Sequence, residues 1–309
     1  MSQEVTTAFV KQFSSNIFHL SQQDGSRLAP VVRKESQKSE ASFYDRIGSV
    51  TAVLRTSRHA DTPQFDTPHS RRRVTLNDYE WADLIDDVDK VRMLIDPASD
   101  YVKASMMAMG RAMDDVVISA ANGSAYGGVD GGTAVALPAA QHIGAVSGGS
   151  LSGLNVEALR VTQRIFDEAE VDEKIPRYFV FSAEQRQNLL SETEVTSADF
   201  NTVKALVNGQ IDSYMGFKFI RSERLDNSGL YSINTSTGAV TLSTGNGNAA
   251  RQCFAFAGDG LLLSIGMDMK ARISERDDKG YSTQVYAQMS IGATRMEESK
   301  VVMVLCAEA

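Results

Sequence analysis

Residues 96–123, "DPASDYVKASMMAMGRAMDDVVISAANG", read as one helix from end to end. Asp96 stands where an N-cap accepts backbone amides, and Pro97 suits the first helical position, where no N–H is needed. Val102, Met106, Met109, Met113, Val116 and Ala120 then recur every three or four residues, which places them in one stripe along the helix. Asn122-Gly123 supplies a left-handed stop. The spacing predicts a helix over 97–121, a rod of roughly 38 Å. Its six stripe side chains would contribute on the order of 10 kcal/mol against a support. A catalytic helix does not need that length, whereas a structural spine does. The pair Asp114-Asp115 then reads as follows: Asp115 faces solvent, and Asp114 is a salt-bridge partner, either of Arg111 or of a neighbouring strand.

Working outward, residues 1–40 read as an arm. Val5, Phe9, Phe13, Ile17 and Leu20 repeat at helical spacing, and the stretch that follows, "SQQDGSRLAPVVRKESQKSE", carries no second apolar stripe to hold it in a core. Such an arm either docks on a neighbour, through Phe9 and Phe13, or caps its own domain. "RIGSVTAVLRT" and "RRRVTLND" alternate as two strands, with Val50, Ala52 and Leu54 facing Val74 and Leu76, around a tip interrupted by Pro63 and Pro68. A two-stranded ribbon is marginal by itself in water, so this one needs another surface to lie against. The triplet Arg71-Arg72-Arg73 is either an inter-subunit salt-bridge patch or a solvated edge that protects a strand.

"DYEWADLIDDVDKVRMLI" joins the ribbon to the spine, with apolar residues whose spacing suits a helix but leaves β structure open. Residues 122–154 are rich in Gly, Ser and Ala, lack a phosphate-cradling motif, and read as a flexible insertion. Beyond it, Asn155 caps a helix, "RYFVFSA" is a buried strand, "AEQRQNLLSE" and "SADFNTVKALVNG" are helices, and "MGFKFIRSERL" is a strand. "GLYSINTSTGAVTLSTGNGNAAR" inside this alternating α/β unit reads as a hairpin insertion. The last part is β-rich: "RQCFAFAG", "DGLLLSIGM", two long strands joined at Asp278-Lys279-Gly280, and "VVMVLCA" after the turn "EESK". The closing strands need an apolar surface, which the spine offers. The fold class is therefore α+β.

The 309 residues are enough for one large domain or two ordinary ones, and a hydrophobic content of 42% is ordinary for a globular chain. A net charge of -8 argues against general attraction to nucleic acid, which requires surplus Lys and Arg. Cys253 and Cys306 are far apart and form no metal or redox motif, so they read as free core thiols. No secretory start and no membrane-length apolar run is present, which predicts a soluble, intracellularly made protein with no membrane partner. Asp86, Asp87 and Asp89 lack the converging His or glycine-turned loop of a metal site and read as a solvated acidic face. A carboxylate hydrolase using Asp86, Asp87, Asp114 and Asp115 is disfavoured, since His19, His59, His69 and His142 are scattered and no nucleophile elbow occurs. No catalytic residue, metal or cofactor is expected.

In this order the parts resemble the major capsid proteins of tailed bacteriophages, with the Hong Kong-type shell fold. "VTLNDYEWADLID" resembles that family's return strand from an extended loop, and residues 96–123 resemble its spine helix, with Arg111 and Asp114 where many relatives carry Arg and Asp. "PRYFVFSAEQRQNLL", "SADFNTVKALVNGQIDSYMGFKFIRSERL" and "FAFAGDGLLLSIG" resemble its axial subdomain, and "YAQMSIGATRMEESKVVMVLC" its closing strands. The resemblance covers roughly residues 41–309. It implies an N-terminal arm (1–40), an extended β-hairpin loop (41–80), a peripheral domain with a β-sheet and the spine (81–150 and 268–309) and a mixed α/β axial domain (151–267). It also implies a non-enzymatic virion protein, made in the host cytoplasm, that assembles with itself as hexamers and pentamers. The icosahedral shell would enclose packaged double-stranded DNA, touched only by non-specific proximity. A separate scaffolding protein, portal and decoration proteins are the further implied partners. An encapsulin-like compartment of the same fold is the alternative. Phe9, Phe13, Arg71, Arg72, Arg73, Met106, Met109, Met113 and Asp114 are the residues expected to serve assembly. No lysine lies between Ser39 and Asp89, so the lysine–asparagine cross-link that some relatives form through this loop does not carry over.

Overall fold

The computed structural model describes residues 21–59, 61–62, 64–86, 98–147, 150–192, 213–227, 229–233, 240–242 and 248–308. In chain order, β1 (Arg33–Ser36), β2 (Ala41–Ile47), β3 (His69–Thr75) and β4 (Asn77–Ile85) precede helix α1 (Ala98–Asn122). Short strands follow: β5 (Ala125–Gly127), β6 (Thr133–Val135), β7 (His142–Gly144), β8 (Val146–Ser147) and β9 (Ser150–Leu151). Then come α2 (Val156–Glu168), β10 (Arg177–Phe181), α3 (Ala183–Ser191), β11 (Ser213–Tyr214), β12 (Phe217–Arg221), β13 (Gly229–Ile233) and β14 (Val240–Leu242). β15 (Asn248–Ala257), β16 (Leu261–Arg276), β17 (Ser282–Arg295) and β18 (Val301–Cys306) complete the fold. Contacts divide the chain into two compact units, one of residues 1–26, 78–112 and 267–290, the other of 27–77, 113–266 and 291–309.

In the first unit, the paired lengths of β16 and β17 lie beside β4. The turn between the two long strands comes where the sequence places it, with Gly280 at φ 62°, a conformation that glycine adopts without strain. Ile85 and Val285 are buried, with Trp81, Tyr101 and Val102 packed around them. The stretch 77–85, where the spacing left helix and β structure open and the resemblance implies a return strand, is a strand. Tyr79, Trp81, Asp83 and Ile85 are its less exposed positions, a period of two that competes with the helical spacing read from the same residues.

In the second unit, β15 is the hub of the largest sheet. It pairs antiparallel with β10 and, from Arg251↔Cys306 to Phe256↔Val301, with β18. β10 in turn runs parallel to β12, with Arg177 opposite Phe217. Every residue of β18 is buried, which explains its unbroken apolar run: a strand covered on both faces shows no alternation. Phe166 from α2 meets Phe217 at 6.1 Å, and Phe179 meets Phe217 edge-on at 6.1 Å. Cys253 and Cys306 are buried and unbridged, as free core thiols should be. A hydrogen bond with Cys253, together with burial, pushes the Cys306 thiol well above its usual range. α2 and α3 begin at the caps their sequences offer. Asn155 accepts the Ala158 amide at 2.8 Å, and Ser182 accepts that of Gln185.

Three expectations change in this unit. The stretch after residue 20 does join a core: Leu28, Ala29 and Val32 are buried, and β1 runs parallel to residues 262–265 of β16. The ribbon's first strand is β2, paired with β3 from Ala41↔Thr75 to Ile47↔His69, not residues 46–56. Val50, Val53 and Leu54 instead lie in an irregular, exposed stretch. Residues 122–154 are largely ordered, because β5 and β6 extend the β2–β3 sheet and β7 pairs with β18. The expected helix "SADFNTVKALVNG" lies outside the described residues.

Candidate assembly surfaces

Helix α1 runs over Ala98–Asn122, as expected. Its buried positions are Ser105, Met109, Gly110, Asp114, Val117, Ile118 and Ala121. The inward face is therefore turned by about one position from the stripe read in the sequence. Met109 is 3% exposed, whereas Met106 is 45% exposed and Met113 is half-buried. Small residues set the inward phase. A Cβ on Gly110 would lie 2.5 Å from the Gly25 carbonyl carbon, so only glycine lets that backbone cross.

Asp114 is fully buried and accepts the Arg27 amide at 3.1 Å and the Leu28 amide at 3.0 Å. Arg111, its expected partner, donates instead to Gln22 Oε1 at 2.9 Å. Asp115, expected to face solvent, is partly exposed and forms a two-pronged pair with Arg224. That hydrogen bond raises the Arg224 pKa, although burial opposes it.

The arginine triplet divides by strand alternation. Arg71 and Arg73 point outward: Arg71 pairs with Asp45 at 3.2 Å and lies over Phe43, and Arg73 lies over Tyr126. Arg72 points inward, is 3% exposed and donates to Glu298. Burial lowers its pKa while Glu298 opposes the shift. A buried basic side chain that sequence reading missed is Arg295. It is fully buried and donates to the Ala121, Gly123 and Val135 carbonyls at 3.0, 2.8 and 3.0 Å. It thereby supplies the C-terminal cation that α1 lacks in its own last turn. The signal available was that missing cation, but nothing in the sequence pointed 170 residues onward. Burial lowers the Arg295 pKa, and burial together with Arg295 lowers that of His142.

Residues 48–68 carry a series of exposed apolar side chains, with Leu54 at 84%, Val50 at 61% and Phe65 at 53%. Phe9 and Phe13 lie outside the described residues. Among the described residues no group of three or more His, Cys, Asp or Glu side chains is placed to hold a metal ion, and no helix is long and apolar enough to cross a membrane.

The described residues combine a two-stranded ribbon, an exposed stretch with apolar side chains and a 25-residue helix that exposes Met106. The sequence matches the family described as phage capsid protein over residues 5–308, and the chain belongs to that family. Its fold is that of solved phage shells. The capsid of cyanophage P-SCSP1u is 16% identical with a TM-score of 0.75, covering 99% of this chain and 95% of that one. For the cyanophage Pam1 capsid the values are 14% and 0.72, with 98% and 97% covered. The capsid of the native GTA particle gives 12% and 0.69, with 99% and 98% covered. No curated protein sequence matches. The chain is thus a major capsid protein, a structural component of a virion shell, and the encapsulin-like alternative is not favoured.

Proposed function

We propose that this capsid protein assembles with itself as hexamers and pentamers into an icosahedral shell around packaged double-stranded DNA. The carrying observation is the exposed apolar series Val50, Val53, Leu54 and Phe65 on the irregular stretch 48–68, in a chain whose helix α1 exposes Met106. Patches of this kind mark interaction sites. The ribbon of one subunit lies on the spine of the next, a heterologous contact that closes into rings. Arg71, Arg73, Met113 and the arm residues Phe9 and Phe13 join that contact. In this reading residues 1–40 are the arm, 41–80 the extended loop, 81–150 with 268–309 the peripheral domain, and 151–267 the axial domain. The protein is made in the host cytoplasm, needs a separate scaffolding protein, and shares the virion with portal and decoration proteins. A net charge of -8 suits a container whose wall must not trap DNA, so the packaged DNA is a neighbour and not a ligand.

Deleting residues 56–69 tests the reading. The subunit should remain folded by circular dichroism but give no stable shells in electron micrographs of coexpressed particles. Shells of normal size and stability would refute the ribbon's role.

A further inference from the structure

Nothing in the hairpin pairing of β2 and β3 fixes the direction in which residues 48–68 leave the fold, since a two-stranded ribbon twists and bends easily. The inward side chains at its base do fix it. Tyr44 Oη meets Ser264 Oγ at 3.2 Å. Arg46, on β2, donates to the Met296 carbonyl and lies 3.7 Å from Glu298 Oε2. Arg72, on β3, donates to Glu298 Oε1, and Arg295, on β17, lies 3.8 Å from that same oxygen. One carboxylate, 20% exposed, therefore gathers cations from three strands with both of its oxygens. Glu298 itself stands on the 3-10 turn Glu298–Lys300, directly before the fully buried β18. Backbone packing agrees with this: a Cβ on Gly292 would fall 2.2 Å from the Thr75 carbonyl oxygen, so the foot of β3 rests against β17 where only glycine permits it.

We infer that Glu298 is a positioning residue for assembly, the pin that ties both strands of the ribbon base to the closing strand and so sets the direction in which the loop reaches a neighbouring copy. Its consequence for shells rests on the reading of 48–68 as an intersubunit loop. Its effect on the ribbon does not, and the two fail separately.

Glu298→Gln keeps the side-chain shape and removes the charge that gathers the arginines. Hydrogen exchange is measured on the full-length subunit before assembly. The expected result is about tenfold faster exchange of amides in 41–47 and 69–75, with β15 and β18 unchanged. Particles assembled from this variant should be fewer and irregular in size. Unchanged exchange in the ribbon, or equal acceleration throughout the subunit, overturns the inference. Should Glu298→Gln fail to fold, Arg46→Gln decides. It removes only the partly exposed member and leaves Arg72 paired, so ribbon exchange alone should rise. A ribbon that exchanges as in the wild type sinks the pin.

Discussion

Asp114 and Asp115 are adjacent and chemically identical, yet the fold gives them opposite weights. Asp114 is a buried acceptor for two backbone amides, those of Arg27 and Leu28, whereas Asp115 pairs with Arg224 at a partly exposed surface. Asp114→Ala leaves those amides without their charged acceptor and should cost about 3 kcal/mol in urea unfolding. Asp115→Ala should cost less than about 1 kcal/mol, as exposed ion pairs do. Equal losses would mean that the Asp114 contacts do not hold. His142 makes a second test at this scale. Burial and the Arg295 guanidinium hold its folded pKa below the ordinary value of about 6.5. The unfolded chain then takes up the proton more readily. The His142 contribution is therefore intact above about 6.5 and is lost as pH falls from there toward the folded pKa. Melting temperatures compared at about pH 7 and about pH 5 should drop less for His142→Gln than for the wild type, and parallel drops would remove His142 from the account.

At the scale of elements, Gly110 sets the closest approach to the spine. Gly→Ala inside a helix ordinarily gains about 1 kcal/mol. Here the added Cβ would lie 2.5 Å from Gly25 C and 2.9 Å from Ser26 N, so the crossing backbone must move. Overpacking costs about 1–3 kcal/mol, which outweighs the gain. Gly110→Ala should lower the urea midpoint and speed protease cleavage near residues 21–26, and a raised midpoint would contradict the crossing. The same helix shows what the sequence made legible. Its length followed from apolar periodicity, and it ends at Asn122 beside the expected Gly123, although neither residue takes the left-handed conformation. Asp96 and Pro97 lie outside the described residues. The phase of the helix did not follow, because apolar residues cover so much of its circumference that hydrophobicity alone could not choose a side. Gly110 and Asp114 chose it, through contacts with backbone remote in sequence, at Gly25 and at Arg27 and Leu28. β4 stayed open between helix and strand for a related reason, since Trp81 and Ile85 satisfy a period of two and a period near four alike. The exposed alternation of Val50, Ala52 and Leu54 imitates a strand that has no partner to pair with. Long-range arginine contacts, Arg72 with Glu298 and Arg295 with the α1 terminus, leave no local pattern to find.

For the whole molecule, the proposed assembly contact would draw on a different face of α1 from the one that folding buries, and a pair of substitutions separates them. Met109 is 3% exposed and Met106 is 45% exposed, three residues apart on α1. Met109→Glu places a charge in the core, where an unpaired carboxylate costs several kcal/mol, and the subunit should not fold. Met106→Glu substitutes one good helix former for another at the surface, so the isolated subunit should keep its stability to within about 0.5 kcal/mol. Shell assembly distinguishes the two faces further. If the ribbon of a neighbouring copy covers Met106, the new carboxylate is buried without a partner each time a contact forms, and the penalty recurs at every subunit of the shell. Met106→Glu should then yield a folded subunit by circular dichroism that sediments as free subunits or small oligomers, while wild-type protein under the same conditions forms particles. Normal particles from Met106→Glu would show that the outer face of the spine stays uncovered in the shell, and the apolar side chains of residues 48–68 would have to lie elsewhere.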